Sequence, residues 1–122
     1  MKTIYISHPY TGDEAMNRDK AHLIAARLAK EYPELVFLNP LDAMCHAVTA
    51  GLGYGTVLRQ TVELLRRCNS VIMTGNWRES RGCMAEYLAA QDIGMRIYDG
   101  LEDFRRNAGV DAGKDGHDGK CA

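Results

Sequence analysis

The 122-residue chain has a formal net charge of -1, with 46% hydrophobic and 25% charged residues. That is ordinary composition for a single globular domain and too little chain for two. It offers no electrostatic case for binding a nucleic acid polymer, holds no segment of membrane-spanning length, and starts without the apolar run of a signal peptide, so a cytoplasmic protein is expected.

Thr3-Ile4-Tyr5-Ile6-Ser7 is a β-branched and aromatic run that predicts a buried strand. It ends in turn chemistry, His8-Pro9-Tyr10-Thr11-Gly12-Asp13. A helix follows from about Glu14 to Glu31, with Ala21, Ile24, Ala25 and Leu28 on one stripe, and Pro33 stops it. Leu35 to Leu38 predicts a second buried strand, ended by Asn39-Pro40. Leu41 to Ala50 is a weaker helical segment, and Gly51 to Gly55 a mobile loop. Thr56 to Cys68 is amphipathic, with Val57, Leu58, Val62, Leu65 and Cys68 toward the core and Arg59, Glu63, Arg66 and Arg67 toward water. Val71 to Met73 is a third buried strand. A polar loop with Gly75 and Gly82 leads into a helix closed by Gly94. Arg96-Ile97-Tyr98 is the last strand, and Leu101 to Arg105 adds a final turn of helix. From Asn107 the chain turns to Gly, Asp and Lys, so residues 1–106 are the expected domain and 107–122 a disordered tail.

Strands alternating with helices predict an α/β fold: a three-layer, Rossmann-like (flavodoxin-like) domain with a parallel sheet of four or five strands. The expected order is 2-1-3-4, and ligands bind at the carboxyl ends of such strands. The loops at that edge are Ser7 to Asp13, Asn39 to Asp42 and Thr74 to Gly82.

Glu86 is the focus of this edge. The positions three or four residues away, Gly82, Ala89 and Ala90, are small or apolar, so the carboxylate projects from the inward face of its helix. An inward carboxylate is costly unless it is partnered or lines a cleft. Near a helix N-terminus the dipole favours its ionised form, which suits a nucleophile or an electrostatic stabiliser. The plain alternative is a surface acid in the first turn.

The other candidates each have a plain reading too. His8 to Gly12 is a strand-to-helix turn, or a cradle for a phosphate or sugar. Asp42 caps the next helix, or its carboxylate reaches the cleft. Trp77 packs, or offers a base a stacking platform. Ser80 caps the helix beginning at Gly82, or holds an anionic group with the amides of Arg81 and Gly82. There is neither GxGxxG nor a P-loop lysine, so no dinucleotide cofactor is expected. Cys45, Cys68, Cys83 and Cys121 and the four histidines are dispersed without metal-type spacing, so reduced thiols and no metal site are expected.

Tyr5-Ile6-Ser7-His8-Pro9-Tyr10-Thr11-Gly12, then Asn17, Asn39-Pro40 and Gly75-Asn76-Trp77-x-x-Ser80-x-Gly82-x-x-x-Glu86 resembles a family of small phage and bacterial domains. That family is related to the nucleoside 2-deoxyribosyltransferases and the 2'-deoxynucleoside 5'-phosphate N-hydrolases. The resemblance extends to about Tyr98 and is most specific from Ser80 to Glu86. It implies that Glu86 attacks the anomeric carbon of a deoxyribose and that Ser80 holds a 5'-phosphate. It further implies that Tyr5 and the loop Ser7, His8, Tyr10, Gly12 contact sugar and phosphate. The relatives' aspartate that protonates the departing base is matched here by Thr61, and their usual glycine by His8. Asp42 and His8 are then the remaining candidates for the acid.

Two functions follow as expectations. One is N-glycosidic hydrolysis or deoxyribosyl transfer on a nucleoside or its 5'-monophosphate. The other is a nucleotide-binding module without chemistry, which Thr61 favours. A homo-oligomer is expected from the Leu41 to Gly55 region and the resemblance.

Overall fold

In a computed structural model, which describes residues 1–114, four strands form one parallel sheet. They are β1 (Thr3–Ser7), β2 (Val36–Leu38), β3 (Ser70–Met73) and β4 (Arg96–Asp99), in the order β2-β1-β3-β4. β1 and β3 lie at the centre, with Tyr5 opposite Val71 and Ser7 opposite Met73. That position explains their unbroken apolar runs, since a central strand is covered on both faces.

The pleat sorts β1 between two cores. Ile4 and Ile6 join Ile72 and Tyr98 under α1 (Glu14–Glu31) and α6 (Leu101–Lys114), through Leu28 and Phe104. Tyr5 joins Val71 and Met73 on the opposite face, under α4 (Tyr54–Arg66) and α5 (Arg81–Asp92), through Leu65, Cys83 and Ala90. The result is the three-layer, Rossmann-like arrangement that the alternation predicts.

Four details differ from the pattern-based reading. β2 is an edge strand rather than a buried one, and Val36 is 44% exposed, because its apolar run has a neighbour on one side only. The Leu41–Ala50 segment is two short helices, α2 (Pro40–Ala43) and α3 (Cys45–Thr49), which meet at Met44 in a non-helical conformation. Asn39, not Asp42, caps the first of them: its side-chain oxygen accepts from the Leu41 N–H at 3.2 Å. The last helix runs on through residues 107–114, where a tail was expected; Asp111 accepts from the Arg96 guanidinium at 2.8 Å and from the Tyr98 hydroxyl at 2.7 Å. Polar composition misleads there because one face of a surface helix needs few apolar residues to dock. The rest of the expected tail and Cys121 lie outside the described residues.

Candidate active site

The inward carboxylate is real. Glu86 is 6% exposed and is held by two hydroxyls from β1. Tyr5 Oη donates to Glu86 Oε2, and Ser7 Oγ donates to Glu86 Oε1 at 2.7 Å. Alternation along β1 sends both side chains to the α5 face of the sheet, which is why residues two apart reach the two oxygens of one carboxylate. Each oxygen keeps a lone pair beyond these bonds.

Electrostatics here departs from the dipole argument. With Arg81 as the first residue of α5, Glu86 is the sixth, beyond the first turn where the dipole acts. Burial dominates instead and raises the Glu86 pKa above the ordinary glutamate value, opposed by hydrogen bonding from Tyr5 and Ser7. Burial, and then the Glu86 charge, push the Tyr5 phenol well above its usual value, so it stays a proton donor.

Glu86 lines a pocket of about 230 Å³ at the carboxyl edge of the sheet. His8, Tyr10 and Thr11 contribute from the loop after β1. Ser80 and Gly82 contribute from the start of α5, and Tyr54 and Thr61 from α4. The remaining wall is apolar and comes largely from α2, the α3 region and α4. A broader polar depression of about 800 Å³ adjoins it across Thr11, Tyr54 and Ser80, and carries Asn17, Lys20 and Arg81.

The sequence candidates divide among three places. His8, Tyr10, Ser80, Gly82 and Glu86 share the pocket. Tyr5 and Ser7 lie beneath it, holding the carboxylate rather than lining the cavity. Asp42, Trp77 and Gly12 are elsewhere. Asp42 is exposed, 2.7 Å from His22 Nδ1 and 3.2 Å from the Asn39 amide, so it is no acid for this cleft. Trp77 is buried, packs against Tyr87 with ring centroids 4.9 Å apart and the rings tilted by 35°, and donates from Nε1 to Asp99 at 3.0 Å. It is a packing residue. Gly12 serves the turn, with φ +114° and its N–H on Glu14 at 2.9 Å. Ser80 does cap α5, accepting from the Cys83 N–H at 3.2 Å, and it also lines the pocket.

Sequence reasoning missed Tyr54 and Thr74. Tyr54 reads as part of a glycine-rich loop, yet it opens α4, and a Cβ at Gly82 would lie 3.3 Å from its hydroxyl. Thr74 sits one residue past β3. Its hydroxyl donates to Ser7 O at 2.8 Å and therefore accepts from His8 Nδ1, also at 2.8 Å. The neutral ring thus keeps its one proton on Nδ1. Burial, and then the charge of Lys20, lower the His8 pKa.

Gly75 makes this arrangement fit. It has φ +64°, and a Cβ there would lie 3.1 Å from His8 Cε1 and 3.2 Å from Pro9 Cδ. Gly75→Ala is expected to cost about 1–3 kcal/mol through left-handed strain and displacement of the His8 ring. Urea unfolding of the two proteins measures it; an unchanged midpoint would refute the close packing.

Residues 2–99 match the model of a family described as Domain of unknown function (DUF4406). No curated protein and no solved structure matched the chain.

Proposed function

The chain belongs to the DUF4406 family, and from that premise we propose that it cleaves the N-glycosidic bond of a nucleoside or nucleoside 5'-monophosphate through a covalent ester on Glu86. The observation that supports this is the carboxylate itself: buried, bordering a pocket, and gripped from below by Tyr5 and Ser7. A carboxylate of this kind suits attack on an anomeric carbon, because its two hydroxyl donors fix its direction while desolvation leaves it a stronger nucleophile. A Glu86 oxygen forms the bond to C1' as the bond from C1' to the base nitrogen breaks. Water then attacks C1', and the electron pair of the ester bond returns to Glu86. A second base in place of water gives transfer. The likeness of the Ser80–Glu86 stretch to the deoxyribosyltransferases and N-hydrolases points the same way.

The second reading, a nucleotide-binding module, draws on Thr61. Its hydroxyl donates to Leu58 O at 3.0 Å, and a threonine has no acid proton to offer a departing base.

Incubation with deoxynucleosides and their 5'-monophosphates separates the two. The glycosidase reading expects free base by chromatography, and a protein mass increased by one glycosyl unit after acid quench. Nucleotide binding by calorimetry with no base released would leave the binding module standing.

A further inference from the structure

If Glu86 is the nucleophile of a glycosidase, the rest of its pocket bears on which base can leave. Loss of a neutral purine or pyrimidine puts negative charge on the departing ring, so glycosidases protonate it, a contribution of about a hundredfold to ten-thousandfold. Among the described residues, no side chain lining this pocket is fitted for that task. His8 directs its one proton to Thr74, whose own proton goes to Ser7 O. The Cys83 thiol is buried and raised above its ordinary value. Thr61 donates to Leu58 O. Tyr10 and Tyr54 are phenols, far weaker acids than a carboxylic acid. Among the described residues of the pocket, Glu86 is the one carboxyl group.

The charges are also separated. Among the described residues no lysine or arginine lines the pocket around Glu86, whereas Lys20 and Arg81, together with the single carboxylate of Glu79, border the adjoining depression. The pocket wall offers Pro40, Leu41, Val48, Leu52, Val57 and Leu58 to a flat ring, with Tyr10 and Tyr54 as aromatic neighbours that tolerate positive charge.

We propose that the site selects nucleotides whose base is already cationic, a pyridinium or an N-alkylated purinium, with the anionic phosphate toward Lys20 and Arg81. This rests on the glycosidase reading above. Such a base needs no proton. As a Glu86 oxygen bonds to C1', the electron pair of the C1'–N bond moves onto the ring and cancels its charge. The base departs neutral. Water then attacks C1', the ester electron pair returns to Glu86, and the water's proton passes to solvent.

The test compares 7-methyl-2'-deoxyguanosine 5'-monophosphate and dGMP with 2'-deoxynicotinamide mononucleotide as the pyridinium arm, so that all three share sugar and phosphate. Enzymatic kcat/KM, after subtraction of spontaneous loss, should favour the methylated nucleotide over dGMP by about a hundredfold or more. Activity on 2'-deoxynicotinamide mononucleotide identifies the pyridinium as a base the site accepts. Activity on the methylated nucleotide alone confines the selection to purines. Thr61→Asp, which places a carboxyl group beside Glu86, should shrink the ratio by raising the rate on dGMP. If that variant does not fold, the wild-type ratio decides alone. A ratio below about ten, or a ratio that Thr61→Asp leaves unmoved in a folded protein, overturns the proposal while the glycosidase reading stands. No base from any of the three, with no glycosyl adduct on Glu86, overturns both.

Discussion

Glu86→Gln is expected to abolish base release while leaving nucleotide binding nearly intact. The amide keeps the shape of the side chain, but its oxygen is a poor nucleophile. Removal of a covalent nucleophile lowers turnover by on the order of ten-thousandfold to a millionfold. Packing should survive. Ser7 or Tyr5 still donates to the amide oxygen, and the other hydroxyl turns to accept from the new NH2 group. Stability offers a second readout. Burial raises the folded pKa of Glu86, so the folded state holds its proton more tightly than the unfolded chain. Stability associated with this group is therefore full below the unfolded pKa and falls as pH rises through the folded one. Glutamine has no such titration. The melting temperature of Glu86→Gln relative to wild type should increase with pH from the ordinary glutamate range upward. The same shift sets the sign for activity: attack needs the carboxylate, so the rate declines as pH drops through the raised pKa. A variant with wild-type base release would end the nucleophile assignment, and a melting difference flat with pH would refute the buried, titrating carboxyl.

Phe104→Ala is expected to be the most destabilising of the core truncations that leave the site alone. Phe104 is 1% exposed in the core beneath α1 and α6. Its ring meets Tyr98 and Tyr32 edge-on at centroid distances of 5.0 and 5.2 Å, and Phe37 at 6.0 Å. Truncation removes its buried area and leaves a cavity lined by rigid rings that cannot collapse into it, at a cost of about 3–5 kcal/mol. Against a total stability of about 5–15 kcal/mol, that lowers the melting temperature by roughly ten to twenty degrees. The sheet stands between this core and Glu86, so the surviving folded protein should bind ligand as wild type does. Calorimetric melting and a binding isotherm below the transition read the two effects separately. A loss under about 1 kcal/mol would mean that α6 is not an integral layer.

The elements of this fold were legible because their signals are local. Thr3–Ser7 and Ser70–Met73 declare themselves by continuous β-branched and apolar residues, and α4 by its stripe from Val57 to Leu65. The order β2-β1-β3-β4 follows from right-handed crossovers, which need no knowledge of side-chain contacts. Even the inward aim of Glu86 is a matter of helical period, since Gly82, Ala89 and Ala90 share its face. What the side chains would touch was not legible. Tyr5 and Ser7 grip Glu86 across 81 and 79 residues of chain, a pairing that exists only after β1 docks beside β3 in one register. Asp42 turned to His22, and Trp77 to Asp99, because those partners are closer than the cleft once α1 and β4 are in place. The Glu86 pKa changed direction for the same reason: dipole and capping arguments are local, whereas desolvation depends on everything the finished core places around the carboxylate. Periodicity determines which face of an element is buried, and only the docked sheet and helices decide what that face meets.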